Sequence, residues 1–276
     1  MSHSPASLRT DRLSFSYGEI GILHDVSLIV ERGSLVAVLG PNGSGKTTLL
    51  RLLGGLLRPI TGRVLLENND LTTLSPTTLA RRMAVVPQET HLAFEYSVLE
   101  IALMGRYPHM GPFQFEGPAD LEIAREALVA TGTSHLEHRG YTTLSGGEKQ
   151  RVIIASALAQ IWRISGDDEM GPSNGILLLD EPTASLDLGY QLEITDTLRS
   201  LNQNCGTTMV VSTHDLNLAA RLCENLIMLH QGRILAAGPT EQVLNTTTIR
   251  ALYGVEAEVH RHNKTGSLII VPVAKK

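Results

Sequence analysis

Hydrophobic and polar positions fall into two rhythms along this chain. Over the first ~30 residues, LSFSYG and then DVSLIV alternate apolar and polar side chains, the period-two pattern of half-exposed antiparallel strands, so a small β-subdomain is predicted there. Further on, continuous apolar runs alternate with helical patterns: 34–39 then 46–57, 176–180 then 188–202, 208–212 then 216–223. Buried runs that alternate with helices predict an α/β domain with mostly parallel strands. Residues 100–143 differ: helical SVLEIALMGR leads to the break GRYPHMGPFQFEGP and an amphipathic helix over 120–130 closed by Gly132. This stretch reads as an α-helical subdomain inserted into the core. SGDDEMGPSNG, 165–175, has the composition of an exposed surface loop. Near the C-terminus LIMLHQGRILAAG predicts a hairpin turning at Gln231 and Gly232, then a short helix, then EVHRHNKTGSLIIVPV as a closing strand pair. There is no internal repeat or low-complexity tract.

Composition narrows the class. The 276 residues, 42% hydrophobic and 18% charged, make one large domain or two small ones with a well-filled core. A net charge of -5 gives no broad basic field, so nucleic acid is not an expected partner. Cys205 and Cys223 are too few for a disulfide framework and lack metal-ligand spacing, which suits a reducing compartment. The opening MSHSPASLRTDR has no apolar core, so no secretory leader is expected. No apolar run approaches the ~20 residues of a membrane span. Work at a membrane would require docking on another chain.

Three segments carry chemistry. Gly40-Pro41-Asn42-Gly43-Ser44-Gly45-Lys46-Thr47 fits G-x-x-x-x-G-K-[ST], follows the apolar run SLVAVL and opens a helix. Glycines let successive N–H groups turn toward one anion, the helix start adds positive charge, and Lys46 reaches β and γ phosphates. Thr47 is expected to hold Mg²⁺ and Thr48 to assist with a phosphate. Asp180 and Glu181 end the apolar run ILLLD, the edge where ligands bind in open α/β sheets. Asp180 would organise the Mg²⁺ shell, leaving Glu181 to polarise a water in line with the γ-phosphate. Finally, Leu144-Ser145-Gly146-Gly147-Glu148 precedes a helix expected over 149–160, so one chain offers two anion-binding helix starts. A head-to-tail dimer with two ATP molecules in its seam accounts for both. Standing alone, the segment would read first as an ordinary capped helix with Ser145 near the N-cap.

At this point a family resemblance enters. LSGGEKQR resembles the ABC signature, GPNGSGKT its Walker A motif, ILLLDEP its Walker B motif and AVVPQ its Q-loop. Ala184 to Asp187 is similar to the D-loop and Ser212 to Asp215 to the H-loop, in the family's order and across nearly the whole chain. The resemblance implies an α/β P-loop NTPase fold: an L-shaped domain with a RecA-like core, an antiparallel β-subdomain and an inserted α-helical subdomain. Residues 1–99 and 165–276 would form the β-subdomain and core, and 100–164 the helical signature subdomain. It further implies that Gln88 links the γ-phosphate and metal to a permease interface, with metal contacts from Thr47, Gln88 and Asp180. His214 would contact the γ-phosphate. Tyr17 would stack on adenine, edge-strand packing being its alternative role, and Asp187 would act across the dimer, a plain helix N-cap being its alternative. Ser145, Gly146 and Gly147 would touch the partner's nucleotide.

One residue departs from the pattern: Glu148 stands where the family most often has Gln. A carboxylate repels phosphate, so Glu148 is expected along the helix flank, leaving Ser145 and the Gly147 backbone as contacts. That exchange, with Met104 to His109 (MGRYPH), resembles the importer branch for iron chelates, haem and cobalamin, and the 165–175 loop resembles an extension among haem-import ATPases. The resemblance thus implies an ATPase using ATP and Mg²⁺, a second copy of itself, integral permease subunits, a periplasmic or surface substrate-binding protein, and a peripheral place on the cytoplasmic face of the inner membrane. Haem is the first cargo, ferric siderophore or cobalamin the alternatives. Efflux, a soluble non-transport ABC ATPase and a lone P-loop kinase or GTPase are rival readings. The soluble ATPase would carry long coiled-coil insertions or two nucleotide domains, and the kinase or GTPase would not need LSGGE. His260 and His262 invite a haem-ligand reading, but in a terminal hairpin they read as solvated strand residues.

Overall fold

The computed structural model describes residues 6–90, 92–162, 175–264 and 266–275. The expected 165–175 loop therefore lies outside the described residues except for Gly175. In chain order the structure begins with strands β1 (Ala6–Tyr17), β2 (Ile20–Glu31) and β3 (Leu35–Leu39), helix α1 (Lys46–Leu53), and strands β4 (Thr61–Leu66) and β5 (Asn69–Asp70). Next come α2 (Pro76–Ala80), β6 (Met83–Val86), α3 (Val98–Met104), α4 (Pro118–Ala130), α5 (Gly146–Ile161), β7 (Ile176–Asp180) and α6 (Leu188–Cys205). The chain continues through β8 (Thr208–Thr213), α7 (Leu216–Leu222), β9 (Asn225–His230), β10 (Arg233–Pro239), α8 (Thr240–Val243) and α9 (Thr246–Tyr253), and ends with β11 (Val255–Arg261) and β12 (Leu268–Lys275). It divides into two compact units, one running to Thr73 and resuming at Met209, the other Leu74–Thr208.

In the first unit β1 pairs antiparallel with β2 and β4. Alternation buries Leu8, Leu13 and Phe15 of β1 against Leu23, Val26, Leu28 and Val30 of β2, while Ile29 faces outward. Register shifts interrupt the β1–β2 ladder, and the buried Thr10 hydroxyl repairs one of them, donating to the Val26 carbonyl and accepting from Leu28 N–H. β3 is buried along its whole length between two parallel neighbours, β8 and β9, which explains its unbroken apolar run. The β9–β10 hairpin turns at Gln231 (φ 46°) and Gly232 (φ 72°), both left-handed as a two-residue turn with the right twist requires. β11 and β12 form the closing antiparallel pair. An amide bridge ties it to α7: Asn217 donates to the Ile270 carbonyl at 3.2 Å and accepts from Ile270 N–H at 2.8 Å.

In the second unit β6 runs parallel to β7, and α3, α4 and α5 pack around Ile101, Ala102, Ile123, Ala127, Leu128, Val152 and Leu158. A fully buried cation fastens these helices. Arg106 donates to Asp120 Oδ1 at 3.0 Å and to the carbonyls of Ala159 and Trp162 at 2.5 and 2.7 Å. Asp120 also accepts Gly117 N–H at the start of α4. Burial pulls the Arg106 pKa below its usual value while Asp120 acts in the opposite sense. His109 closes the same turn through the Gln160 carbonyl, and Gln160 in turn donates to the carbonyls of Ala80 and Met83 before β6. The MGRYPH segment is therefore a structural clasp in this fold.

Helix ends differ from the sequence reading for local reasons. α1 stops at Leu53 rather than 57 because Gly54 caps it and Gly55 turns left-handed. α5 starts at Gly146, three residues before the expected 149, because Ser145 supplies a side-chain N-cap. α6 runs on to Cys205 and closes at Gly206 with φ 61°.

Candidate functional site

The phosphate-loop residues meet at one strand edge of the first unit. Leu39 at the end of β3 stands opposite Thr213 of β8 and Met228 of β9, so parallel strands deliver Gly40 and His214 to the same side. The loop turns through Gly43 (φ 79°) and Gly45 (φ 103°), conformations that L side chains rarely adopt. A Cβ on Gly40 would lie 2.4 Å from both the Leu229 carbonyl oxygen and Ser44 Oγ. Lys46, only 5% exposed, donates to the carbonyls of Gly40 at 2.9 Å and Pro41 at 3.3 Å. Its ammonium is thereby curled over the loop. The buried Ser44 hydroxyl has no hydrogen-bond partner among the described residues of the protein, so it is available to water or a ligand in the loop. Asn42 and Gly43 are exposed, Pro41 and Thr47 half-buried and Thr48 buried.

An ammonium, an orphaned hydroxyl and the free N–H groups of a helix with no acid in its first turn together fit a phosphate chain. The hairpin tip supports the loop from behind: Gly232 N–H donates to the Ser44 carbonyl at 3.2 Å, and the Gly232 carbonyl accepts His24 N–H at 2.8 Å. Exposed His214 is set by residues far along the chain. Its carbonyl accepts the Tyr253 hydroxyl at 3.2 Å, and Asp215 beside it caps α7 through the N–H groups of Asn217 and Leu218. Tyr17, 47% exposed at the end of β1, packs edge-on to Phe15 with ring centroids 4.9 Å apart. Its packing role is real, and its remaining surface is open for stacking.

The second unit gathers the acids and the other helix start. Val86 stands opposite Leu179, so exposed Gln88 and buried Asp180 leave the same edge of β6 and β7. Glu181 has φ 45°, a left-handed non-glycine conformation that persists only where its surroundings hold it. From it the chain turns back, Ala184 N–H donating to the Glu181 carbonyl at 3.0 Å, and Gln191 pins the turn through the Leu186 carbonyl at 3.0 Å. Asp187 occupies the N-cap position of α6, yet its side chain makes no capping bond.

This turn rests on the start of α5. A Cβ on Gly146 would lie 3.0 Å from Leu186 Cδ2, and one on Gly147 would lie 2.4 to 2.9 Å from the ring and Cβ of Tyr190. Gly147 is thus required by packing as well as by access to its N–H group, whereas at Gly146 the Leu186 methyl would have to give by a few tenths of an ångström. Glu148 corrects the sequence expectation: it does not lie out along the flank but folds back, its carboxylate accepting Ser145 N–H at 2.7 Å while Ser145 Oγ accepts Glu148 N–H at 3.3 Å. That reciprocal pair is a capping box, and it holds the Glu148 carboxyl below the usual carboxylate range.

The structure therefore brings Gly40 to Thr48 and His214 to one edge of the first unit, with Tyr17 at the end of β1 in the same unit. It brings Gln88, Asp180 and Glu181 to one edge of the second, which also holds the 145–147 start. Tyr190, Gln191, Asn217 and Tyr253, which support these residues, were not singled out from sequence. Tyr190 lies in the first turn of α6, after Asp187 at its N-cap position, and that position was the one hint available.

A family model described as ABC transporter matches residues 23–184. The hemin import ATP-binding protein HmuV of Rhodopseudomonas palustris is 39% identical over 271 residues, covering 98% of this chain and 99% of that protein. The cobalamin import ATP-binding protein BtuD of Halobacterium salinarum is 39% identical over 252 residues, 91% of this chain and 60% of that protein's length. Among solved structures, an inward-facing ABC transporter assigned to the metal-chelate type superposes with a TM-score of 0.82 at 30% identity over 98% of both chains. A dimeric bacterial ABC transporter cassette does so with a TM-score of 0.69 at 30% identity, over 84% of this chain and 98% of that one.

Proposed function

This chain belongs to the ABC transporter family, and we propose that it is the ATP-hydrolysing subunit of an importer that takes up an iron-containing chelate, haem first. The phosphate cradle carries the ATPase reading: Lys46 curls over Gly40 and Pro41, beside a Ser44 hydroxyl that is buried and unpartnered. Within it the loop N–H groups and Lys46 bind the β and γ phosphates, Thr48 assists, and Tyr17 stacks on adenine. Thr47, Gln88 and Asp180 offer oxygen donors of the hard kind that Mg²⁺ prefers. When bound, the cation neutralises charge on the phosphate oxygens. Glu181 polarises the attacking water and His214 contacts the γ-phosphate.

Ser145, Gly146 and Gly147 serve the nucleotide of a second copy, arranged head to tail. The cargo assignment rests on similarity to hemin and cobalamin import proteins, because a nucleotide site has no chemistry that reads cargo. Among the described residues no helix is long and apolar enough to cross a membrane. On the importer reading, which rests on similarity to import ATP-binding proteins, integral permease subunits form the pathway and a substrate-binding protein delivers cargo from the far side. The chain then sits peripherally on the cytoplasmic face of the inner membrane. Residues 88–112 are the proposed permease contact. Phe94 and Tyr107 there are 69% and 56% exposed, whereas Val98, Ile101 and Arg106 are buried and serve packing.

Two variants measured with the permease present separate the roles. Lys46→Ala should weaken ATP binding and hydrolysis together, whereas Glu181→Gln should bind ATP and lose turnover by on the order of a hundredfold or more. Near-parental turnover by Glu181→Gln would refute the assigned base. Failure of the chain to co-purify with any membrane permease would refute the transport role.

A further inference from the structure

We propose that Glu148 is a positioning residue for the nucleotide of the second copy: through the capping box it fixes the Ser145 hydroxyl and the Gly146 and Gly147 N–H groups in the arrangement that receives a triphosphate. This rests on the reading of 145–147 as phosphate contacts.

The hydrogen-bond geometry divides the donors. Ser145 N–H is consumed by the Glu148 carboxylate at 2.7 Å, so it is not offered to an anion. The Ser145 hydroxyl accepts Glu148 N–H and lies within reach of the Glu148 carboxylate as well, so the box fixes where it sits. Gly146 and Gly147 occupy the first helical positions, whose N–H groups have no partner within the helix. Two backbone donors therefore point out of the helix start beside the fixed Ser145 hydroxyl, and the box decides where they point. Two adjacent glycines give the backbone latitude here, which the box removes together with the packing of Leu186 and Tyr190.

The Glu148 charge, which would repel phosphate, is answered locally. Arg139 Nη1 lies 4.0 Å from Glu148, and Arg139 Nη2 donates to the Thr143 carbonyl at 2.9 Å. The segment that carries Arg139 is itself strapped down: Val98 N–H donates to the Arg139 carbonyl at 3.0 Å and Tyr141 N–H to the Tyr96 carbonyl at 2.9 Å. Thr142 Oγ1 adds a bond to Glu95 at 3.2 Å. Glu148 thus ends a line of contacts, hydrogen bonds as far as Arg139 and a 4.0 Å ion pair from there, that links the start of α5 to residues 95–98.

The test is ATP-dependent dimerisation by analytical ultracentrifugation, in a Glu181→Gln background that does not turn over. Glu148→Gln can still accept Ser145 N–H through its amide oxygen, so it should dimerise at least as well as the parent. Glu148→Ala and Glu148→Met delete the box, and each should raise the ATP concentration needed for dimers by roughly five- to tenfold, the fold-change that corresponds to a typical cap contribution. ATP binding to the monomer, which reports on Gly40 to Thr48, should not change. The Met variant keeps the side-chain stem and helix propensity, so equal loss of dimerisation in both variants with unchanged ATP binding to the monomer distinguishes positioning from misfolding. Parent-like dimerisation by Glu148→Ala overturns the proposal, and so does a Glu148→Gln variant as impaired as Glu148→Ala. A parent that stays monomeric at saturating ATP would instead show the shared-seam reading to be wrong, and the proposal would fall with it.

Discussion

Replacing Arg106 by Met should unfold the second unit far more readily, by an amount the structure allows to be worked out. The guanidinium is fully buried and its hydrogen bonds reach Asp120 and the carbonyls of Ala159 and Trp162. Methionine fills much of the same space but supplies no donor. Asp120, 7% exposed, would keep only its bond from Gly117 N–H and would hold a buried charge with no counter-ion. Breaking a buried pair from one side costs about 3–5 kcal/mol, whereas replacing both partners by apolar groups is often near neutral. Arg106→Met should therefore lose about 3–5 kcal/mol, and adding Asp120→Leu should recover much of it. Urea unfolding followed by tryptophan fluorescence suits the question, because Trp162 is the sole tryptophan and its carbonyl is one of the acceptors. A single variant that loses less than about 1 kcal/mol, or strictly additive single and double variants, would refute the clasp.

Other outcomes follow from the same contacts. Burial, with Arg106 and Arg81 nearby, pulls the His109 pKa below 6.5 despite the Gln160 bond and Asp120. Its contribution to stability is then present above about pH 6.5 and lost as pH falls toward the folded value, at no more than about 1.4 kcal/mol per pH unit; His109→Gln should flatten that part of a pH–stability profile, and an unchanged slope would count against the assignment. Gly147→Ala should cost about 1–3 kcal/mol by forcing Tyr190 aside, and Tyr190→Ala should relieve most of that penalty in a double variant measured by thermal unfolding. Ser44→Ala removes a hydroxyl that has no partner, so stability without nucleotide should hold or rise while calorimetric ATP affinity falls by roughly five- to tenfold.

What could be read from sequence was what is local in it. The phosphate loop was legible because its glycines, its lysine and the flanking run SLVAVL determine one another over a few residues, and the Gln231–Gly232 turn was legible because two left-handed positions leave few alternatives. The antiparallel start and the helical 100–143 stretch were legible from periodicity alone. Arg106 was not: nothing in MGRYPH says that its charge is buried, since its acceptors lie on α4 and at the end of α5. The setting of His214 by Tyr253, 39 residues on, is hidden for the same reason. Glu148 was misread because repulsion from an anion was weighed and the nearer attraction, a backbone N–H three residues back, was not.

The two glycines of the second helix start show why chemistry and mechanics are hard to separate here. Their lack of side chains exposes N–H groups, and it also lets Leu186 and Tyr190 settle on them. Those residues follow Glu181 through a turn that contains two left-handed non-glycine positions, Glu181 and Ser185 (φ 60°), and that Gln191 pins. The acid proposed to polarise water and the donors proposed to hold the second copy's phosphate are therefore joined by about ten residues of tightly packed chain within one unit. On the proposed role of Glu181, a shift there when the γ-phosphate leaves would meet the α5 start through the packing of Leu186 and Tyr190. On the sandwich reading, that route connects hydrolysis at one nucleotide to the grip on the other, without requiring any wider rearrangement of the fold.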